Sequence, residues 1–254
     1  MKHTPRKRFG QNFLQDAGII ARIIDAIRPL SADKMVEIGP GLGALTLPLL
    51  DRLDHLDVVE IDRDIVAHLS GRISPEKLTI HQMDALAFDF SSLGKGLRIV
   101  GNLPYNISTP LLFHLADFSD YILDMHFMLQ KEVVDRMIAE PSRGDYGRLS
   151  VMLQHRFHME KCFEVPPECF YPAPKVTSAI VRMIPLASKL ATNEALFAKI
   201  VSSAFSQRRK TLRNTLKGIL DQGGFETLDL DPQARAENLS VSDFAAIANY
   251  LEGK

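Results

Sequence analysis

Residues 36–46 read VEIGPGLGALT, a short apolar run that leads into three glycines at alternate positions. β-Branched residues favour a strand, and glycines let the chain turn tightly and approach a ligand closely. The amide groups at the start of the helix that follows would point at that ligand. The stretch therefore predicts a strand, a ligand-binding turn and a helix, the opening unit of an open α/β sheet.

The spacing of the glycines distinguishes between nucleoside cofactors. Gly39, Gly41 and Gly43 follow Glu37 as E-x-G-x-G-x-G, whereas a dinucleotide site spaces its glycines as G-x-G-x-x-G. Glu60 ends the next apolar run, in VVEID, at about the 20-residue distance expected of a carboxylate that accepts both ribose hydroxyls. The pattern is typical of S-adenosylmethionine methyltransferases and predicts that cofactor. Glycines that merely turn the chain are the alternative.

A further carboxylate follows the third apolar run, in LTIHQMDAL. If the strands are parallel, Asp84 lies at the same edge of the sheet as the glycine turn, where ligands bind. Its side chain could accept the amino group of the cofactor's adenine. A helix N-cap before Leu86 is an equally good interpretation on local grounds.

The most informative stretch is 101–106, GNLPYN, which follows the fourth apolar run. The lone pair of an adenine amine is delocalised into the ring, and two acceptors aimed at its N–H bonds would free it for attack. The side chain of Asn102 and the backbone carbonyl of Leu103 can be those acceptors, and Pro104 stiffens their turn. Tyr105 offers a flat face for a flipped base. An ordinary turn with a half-buried tyrosine is the alternative.

Strand and helix patterns alternate along the first part of the chain, after an amphipathic helix over 16–28 that Asp16 caps. The strand patterns are Met35–Ile38, Leu56–Ile61, Leu78–His81, Leu97–Val100, Ile122–Leu129 and Ser178–Ile184. Beyond Pro185 the patterns are only helical. We predict a Rossmann-like, mostly parallel seven-stranded sheet in residues 1–187 and a small all-α domain in residues 188–254.

Composition bounds the function. The 254 residues carry a formal net charge of −1, so nucleic-acid binding would have to come from local patches. Two cysteines and scattered histidines predict neither a disulfide framework nor a metal site. The basic N-terminus lacks the apolar stretch of a signal peptide, and no segment predicts a membrane span. We expect a cytoplasmic protein that acts as a monomer.

Two basic clusters are candidate phosphate contacts. The N-terminal one contains Arg6, Lys7 and Arg8, and the second contains Arg208, Arg209, Lys210 and Arg213, with Lys217 beyond. At helical spacing the last part of the second cluster, residues 209, 213 and 217, would form one stripe along RNA. A solvated helix face is the alternative.

Several motifs together resemble the KsgA family of small-subunit ribosomal RNA adenine dimethyltransferases. They are RKRFGQNFLQD, VEIGPGLGALT, VEIDRD, GNLPYNIS, CFYPAPKVTSAIVR, AFSQRRKTLRN and RAENLSVSDF, and they cover nearly the whole chain. The resemblance implies S-adenosylmethionine-dependent N6,N6-dimethylation of two adjacent adenosines in the 3′-terminal hairpin of 16S ribosomal RNA. It also implies that the partner is a small-subunit (30S) assembly intermediate.

The resemblance also implies roles for individual residues. Phe170 would close on the target base from the side opposite Tyr105. The cofactor contacts that it implies are Asn12, Leu14, Gly39, Gly41, Glu60, Ile61, Asp84, Ala85 and Asn102.

Three other functions fit parts of the pattern. The related antibiotic-resistance enzymes, which act on large-subunit RNA, share the NLPY-type turn, although RAENLSVSDF and the second basic cluster favour the small-subunit branch. A non-catalytic RNA-binding assembly factor is disfavoured, because such a protein would not need the full set of site residues. A nicotinamide oxidoreductase is disfavoured by the glycine spacing.

Overall fold

The structure, a computed structural model, describes residues 12–188 and 190–253. Within them the strands are β1 (Phe13–Leu14), β2 (Lys34–Ile38), β3 (Leu56–Val59), β4 (Leu78–His81), β5 (Leu97–Asn102), β6 (Ile122–Gln130), β7 (Phe157–Val165), β8 (Phe170–Tyr171) and β9 (Ser178–Pro185). The α-helices are α1 (Ala17–Ile27), α2 (Thr46–Leu50), α3 (Arg63–Ser70), α4 (Ser108–Ala116), α5 (Lys131–Ile138), α6 (Arg148–Gln154), α7 (Glu194–Ala204), α8 (Leu212–Thr215), α9 (Gln222–Thr227) and α10 (Val241–Glu252).

The main sheet has seven strands in the order β4-β3-β2-β5-β6-β9-β7. The pairs β2–β3, β2–β5, β3–β4 and β5–β6 are parallel, and β9 runs antiparallel to β6. Helices connect the parallel strands, as a parallel sheet requires. The predicted Rossmann-like, mostly parallel seven-stranded sheet is confirmed.

The first helix forms as its sequence pattern predicts. The Asp16 side chain accepts a hydrogen bond from the backbone N–H of Ile19 at 2.8 Å, which caps α1. Ile23 and Ile27 lie on the buried face of the helix. Arg98 of β5 donates to the backbone carbonyl of Ile27 at 2.6 Å and to Asp124 of β6, which fixes the end of the helix against the sheet.

The edge strand β7 was not among the strand patterns identified in the sequence. Its residues FHMEKCFEV alternate between buried or half-buried and exposed positions. Such half-exposed alternation is the expected pattern of an edge strand. The strand could therefore have been found from its period of two residues.

The chain forms two compact units. The first consists of the described part of Met1–Val134 together with Met159–Pro185, and it contains nearly the whole sheet. The second, which we call the helical unit, consists of Asp135–His158 and the described part of Leu186–Lys254.

The second unit resumes at Leu186, two residues before the predicted boundary at 187/188, and it also takes in residues 135–158. In the structure, Tyr146 and Val151 from this segment belong to the hydrophobic cluster of the helical unit, with Phe197 and Phe244. The Tyr146 hydroxyl also donates to the backbone carbonyl of Leu239 at 2.8 Å. These contacts join residues distant in sequence, so local patterns did not indicate them.

None of the helices in residues 12–188 and 190–253 is both long and apolar enough to cross a membrane.

Candidate active site

A cavity of about 660 Å³ lies at the carboxyl ends of β2, β3 and β5. The parallel arrangement brings these strand ends to one edge of the sheet, where open α/β sheets bind ligands. The predicted site residues that line it are Asn12, Leu14, Gly39, Gly41, Glu60, Ile61, Asp84, Ala85, Asn102, Leu103, Pro104 and Tyr105. The predicted cofactor site therefore shares one cavity with the predicted catalytic turn, which is the stretch 101–106.

The glycine turn after β2 has a backbone that only glycine adopts easily. Gly39, Gly41 and Gly43 have φ angles of +67°, +54° and +91°. A Cβ atom on Gly41 would also lie 3.2 Å from Cδ1 of Phe13, whose ring covers the turn. The turn itself carries no side chain at its three glycines, which lets a ligand approach its backbone.

Glu60, directly after β3, is held by the backbone around it. Its Oε1 accepts the N–H of Asp62 at 2.7 Å, and the backbone N–H groups of Ile61 and Gly41 also bond to the carboxylate. Burial raises the pKa of Glu60 above its usual value, and the backbone donors oppose that shift. The carboxylate is therefore fixed beside the glycine turn, as a ribose-binding group requires.

Asp84 is not a helix N-cap, and it lies at the edge of the cavity. Its Oδ1 accepts the N–H of Leu86 at 2.9 Å, within a turn over 84–87 rather than at the start of a helix. The residue is exposed and lines the cavity, while Ala85 beside it is buried. One carboxylate oxygen holds the turn, and the other is available for an amino group.

The catalytic turn begins with Asn102, at the end of β5. Its side-chain Nδ2 donates to the backbone carbonyl of Asn12 at 3.0 Å. This bond fixes the orientation of the amide, and its carbonyl oxygen Oδ1, which the bond does not use, can accept from a substrate. The backbone N–H of Leu103 donates to Met128 of β6 at 3.2 Å, which anchors the turn to the sheet.

Tyr105 is positioned by a residue that the sequence did not indicate. Its hydroxyl lies 2.8 Å from Oγ of Ser178, which is fully buried at the start of β9. Burial raises the pKa of Tyr105, and the hydrogen bond to Ser178 opposes the shift. The two residues are far apart in sequence, so only the antiparallel pairing of β9 with β6 brings them together.

Glu37 is a second buried carboxyl of the cavity wall, and the sequence indicated it only as part of the glycine motif. It is 2% exposed, and Oγ1 of Thr46 donates to its Oε2 at 2.6 Å. Burial raises the pKa of Glu37 to about 7, the Thr46 bond lowers it, and the nearby Glu60 raises it. This carboxyl can therefore change charge near neutral pH.

Phe170 lies in the hydrophobic core. It is 5% exposed, stands opposite Leu14 in the β1–β8 pair, and belongs to the same buried cluster as Val165 and Ile180. It is not among the described residues that line the cavity. Phe13 lines the cavity instead, and only its position between Asn12 and Leu14 in the sequence would have pointed to it.

The predicted basic stripe on one helix face is wrong. Arg208, Arg209 and Lys210 lie in turns after α7, and α8 contains only Leu212–Thr215, with Lys217 beyond its end. Thr211 is extended, with a ψ of 161°, and so starts a new short helix. The residues are nevertheless exposed, whereas Arg6, Lys7 and Arg8 lie outside the described residues.

Two of these arginines have defined contacts. Arg208 donates to the backbone carbonyl of Gly144 at 3.2 Å, and Arg213 donates to Oε1 of Gln222 at 3.1 Å. Both residues belong to the helical unit and are exposed, and Nε of Arg208 also lies 3.9 Å from Oε2 of Glu237. Among the described residues, no group of three or more acidic, histidine or cysteine side chains is placed to hold a metal ion.

The residues of the cavity fit S-adenosylmethionine. The turn at 39–43 offers open backbone, Glu60 a fixed carboxylate and Asp84 a free carboxylate oxygen, which match the amino acid, ribose and adenine parts of that molecule. Beside them stands a turn with acceptors for an amine. This fold and this site define an S-adenosylmethionine-dependent methyltransferase.

Comparison with known proteins gives the family. A family model described as ribosomal RNA adenine dimethylase matches residues 2–253. Ribosomal RNA small subunit methyltransferase A of Nitrosospira multiformis is 64% identical over 253 residues, which cover 99% of this chain and 98% of that protein. The protein of the same name from Chromobacterium violaceum is 62% identical, over 100% of this chain and 98% of that protein. The chain belongs to the ribosomal RNA adenine dimethylase family, as its motifs indicated.

Solved structures agree with the fold. A dimethyladenosine transferase from Plasmodium falciparum matches with a TM-score of 0.84 and 27% identity, over 95% of this chain and 98% of that one. The 23S rRNA methyltransferase ErmE matches with a TM-score of 0.71 and 25% identity, over 95% of this chain and 100% of that one.

Proposed function

We propose that the protein dimethylates the N6 amine of two adjacent adenosines in the 3′-terminal hairpin of 16S ribosomal RNA. Its substrate would be a 30S assembly intermediate in the cytoplasm, on which it acts as a monomer. The names of the relatives at 62–64% identity support the small subunit as the target. One observation supports the proposal most directly: Asn102 lines the same cavity as Glu60 and Asp84.

The acceptor groups of the catalytic turn do the chemical work of the protein. S-adenosylmethionine, when bound, supplies an electrophilic methyl group on a sulfonium. Oδ1 of Asn102 and the carbonyl of Leu103 accept the N–H bonds of the adenine amine, which favours a pyramidal nitrogen with a localised lone pair. The two acceptors also stabilise the positive charge that develops on the nitrogen as its bond to carbon forms.

Position and rigidity of these acceptors come from their surroundings. Pro104 restricts the turn, and the bond from Asn102 to Asn12 fixes the side-chain amide. Tyr105, held through Ser178, presents its ring to the flipped base. Phe170 would face that base from the other side, which requires its buried ring to turn towards the cavity.

The cofactor would be held by the residues of the cavity wall. Glu60 would accept the ribose hydroxyls, and Asp84 would accept the adenine amino group. The other residues proposed to contact it are Asn12, Leu14, Gly39, Gly41, Ile61, Ala85 and Asn102.

Phosphate contacts would come from the exposed basic residues. We assign this role to Arg208, Arg209, Lys210 and Arg213 in the helical unit and to Arg6, Lys7 and Arg8 at the N-terminus. Their contribution is electrostatic and should weaken steeply as salt increases.

The test is to incubate undermethylated small subunits with the protein and S-adenosylmethionine and to map methylated nucleotides by mass spectrometry. We expect two additional methyl groups on each of two adjacent adenosines of the 3′-terminal hairpin. Large subunits serve as the comparison substrate, and methylation of large-subunit RNA alone would assign the activity to the other branch. If calorimetry detects no binding of S-adenosylmethionine, the protein is an assembly factor rather than an enzyme.

A further inference from the structure

The short pair formed by β1 and β8 divides its four side chains between two faces. Leu14 stands opposite Phe170, and Phe13 stands opposite Tyr171. Residues directly opposite one another in an antiparallel pair share a face, and successive residues alternate. Since Leu14 and Phe170 are buried, Phe13 and Tyr171 share the other face.

Both residues of β1 line the cavity, and Tyr171 pairs with one of them. Phe13 lines the cavity, and its Cδ1 lies 3.2 Å from the position of a Cβ on Gly41. Asn12, the preceding residue, accepts the hydrogen bond from Asn102 at 3.0 Å. Tyr171 therefore lies beside Phe13 of the cavity wall, and Phe13 follows the residue that holds the Asn102 amide.

Tyr171 is 60% exposed, which is unusual for an aromatic side chain of this size. The segment from Tyr171 to Ser178 reads YPAPKVTS and contains no acid, while Lys175 within it is exposed. Its far end is anchored where Ser178 bonds to Tyr105. An exposed ring and a lysine at the rim of a nucleobase pocket suit a ligand with flat bases and phosphates.

We propose that Tyr171 is a stacking platform for the base of a nucleotide that flanks the methylated adenosine. The inference rests on the proposed function, because it takes RNA to be the substrate. A flipped adenosine in the cavity leaves its neighbour unstacked on one side, and the ring of Tyr171 replaces the lost partner. The residue thus positions the RNA without touching the reacting nitrogen.

The absence of tryptophan from the sequence makes a direct probe available. Tyr171→Trp creates a protein with a single tryptophan, whose emission a stacked base should quench. The probe is a synthetic RNA hairpin with two consecutive adenosines in its loop, and filter retention measures binding independently. The matched control is Leu30→Trp, at an exposed position (69%) that precedes β2 and so lies at the opposite edge of the sheet.

We expect the hairpin to quench the tryptophan at position 171 but not the one at position 30. An abasic site on one side of the target adenosine should abolish the quenching while filter retention persists. Quenching that survives abasic sites on both sides, or no quenching by a hairpin that is retained, overturns the proposal.

Kinetics on undermethylated small subunits give a second readout. Tyr171→Ala should raise KM for the subunits about tenfold, with kcat changed less than about twofold, because stacking on an aromatic side chain contributes to binding. Tyr171→Phe should restore KM. An unchanged KM in Tyr171→Ala overturns the proposal, whereas failure of the wild-type protein to methylate the subunits contradicts the proposed function itself.

Discussion

The side-chain Nδ2 of Asn102 donates a hydrogen bond to the backbone carbonyl of Asn12, 3.0 Å away. Asn102 ends β5, and Asn12 precedes β1, so the bond joins the catalytic turn to the segment that covers the cavity. It uses the donor end of the amide and leaves Oδ1 to accept from a substrate. The orientation of the proposed catalytic amide is therefore set by a residue 90 positions away.

Replacing Asn102 with alanine should remove catalysis and leave most of the cofactor affinity. Loss of one well-placed group that stabilises transition-state charge costs about 100- to 1,000-fold in rate. We expect a fall of that size in the single-turnover rate of RNA methylation. Calorimetric affinity for S-adenosylmethionine should change less than about tenfold, since Glu60 and the glycine turn remain.

Glu76→Ala is the control for that substitution, because Glu76 is exposed and is not among the residues that line the cavity. Its rate should stay within about twofold of wild type, as expected of a surface position. Retained turnover in Asn102→Ala would remove Asn102 from the proposed chemistry.

The core of the fold and most of the cavity were predictable because they depend on local signals. A glycine turn can be recognised from its own residues, and so can the pattern of buried residues in a strand. Each signal spans about ten residues or fewer. Parallel strands then bring the ends of those patterns to one edge. This is why Gly39, Glu60, Asp84 and Asn102 were expected together and were found together.

What the sequence did not indicate depends on contacts between distant segments. The Tyr105–Ser178 bond, the burial of Phe170 opposite Leu14 and the packing of 135–158 in the helical unit all join segments that are distant in sequence. The predicted basic stripe is wrong for a local reason. The extended backbone of Thr211 interrupts the helix that the spacing of the charges suggested.

Cofactor affinity should depend on pH through Glu37. Its pKa is about 7 because burial and the neighbouring Glu60 disfavour the charged form. S-adenosylmethionine is cationic at its sulfonium and amino groups, so the ionised carboxyl binds it better and a proton is released on binding. Affinity should therefore rise with pH up to about 7 and level off above it.

The measurement is calorimetry between pH 5.5 and 8.5 in buffers of different ionisation enthalpy, which counts released protons. Glu37→Gln should flatten the profile, since an amide cannot ionise. Thr46→Val removes the hydrogen bond at 2.6 Å that lowers the pKa of Glu37, and it should shift the profile to higher pH. A flat wild-type profile would contradict the assignment.

His126 should make the fold sensitive to mild acid. Neither ring nitrogen has a hydrogen-bond partner among the described residues, and burial, partly opposed by Asp124, lowers its pKa from 6.5 to about 4. Because the folded pKa lies below the unfolded one, this stability is complete above pH 6.5 and is lost as pH falls towards 4. The loss should reach on the order of 3 kcal/mol at pH 4.

Urea unfolding at pH 7.5 and at pH 5 measures this effect. His126→Leu should unfold with a smaller difference between the two pH values than wild type. His158→Leu, at an exposed position of β7, should keep the wild-type difference. An equal pH dependence in all three proteins would show that His126 does not control the acid response.

Gly101→Ala should damage both stability and cofactor binding, because β5 and β2 approach too closely at this point for a side chain. A Cβ at position 101 would lie 2.6 Å from the carbonyl oxygen of Ile38, and backbone cannot move aside as a flexible side chain can. Overpacking of this kind costs about 1–3 kcal/mol. Ile38 leads directly into Gly39, so the displacement also reaches the cofactor turn.

Gly144→Ala, where a Cβ has no neighbour within 4 Å, should leave the urea midpoint and the calorimetric affinity unchanged. If Gly101→Ala matches that control in both measurements, the close approach of the two strands does not shape the site.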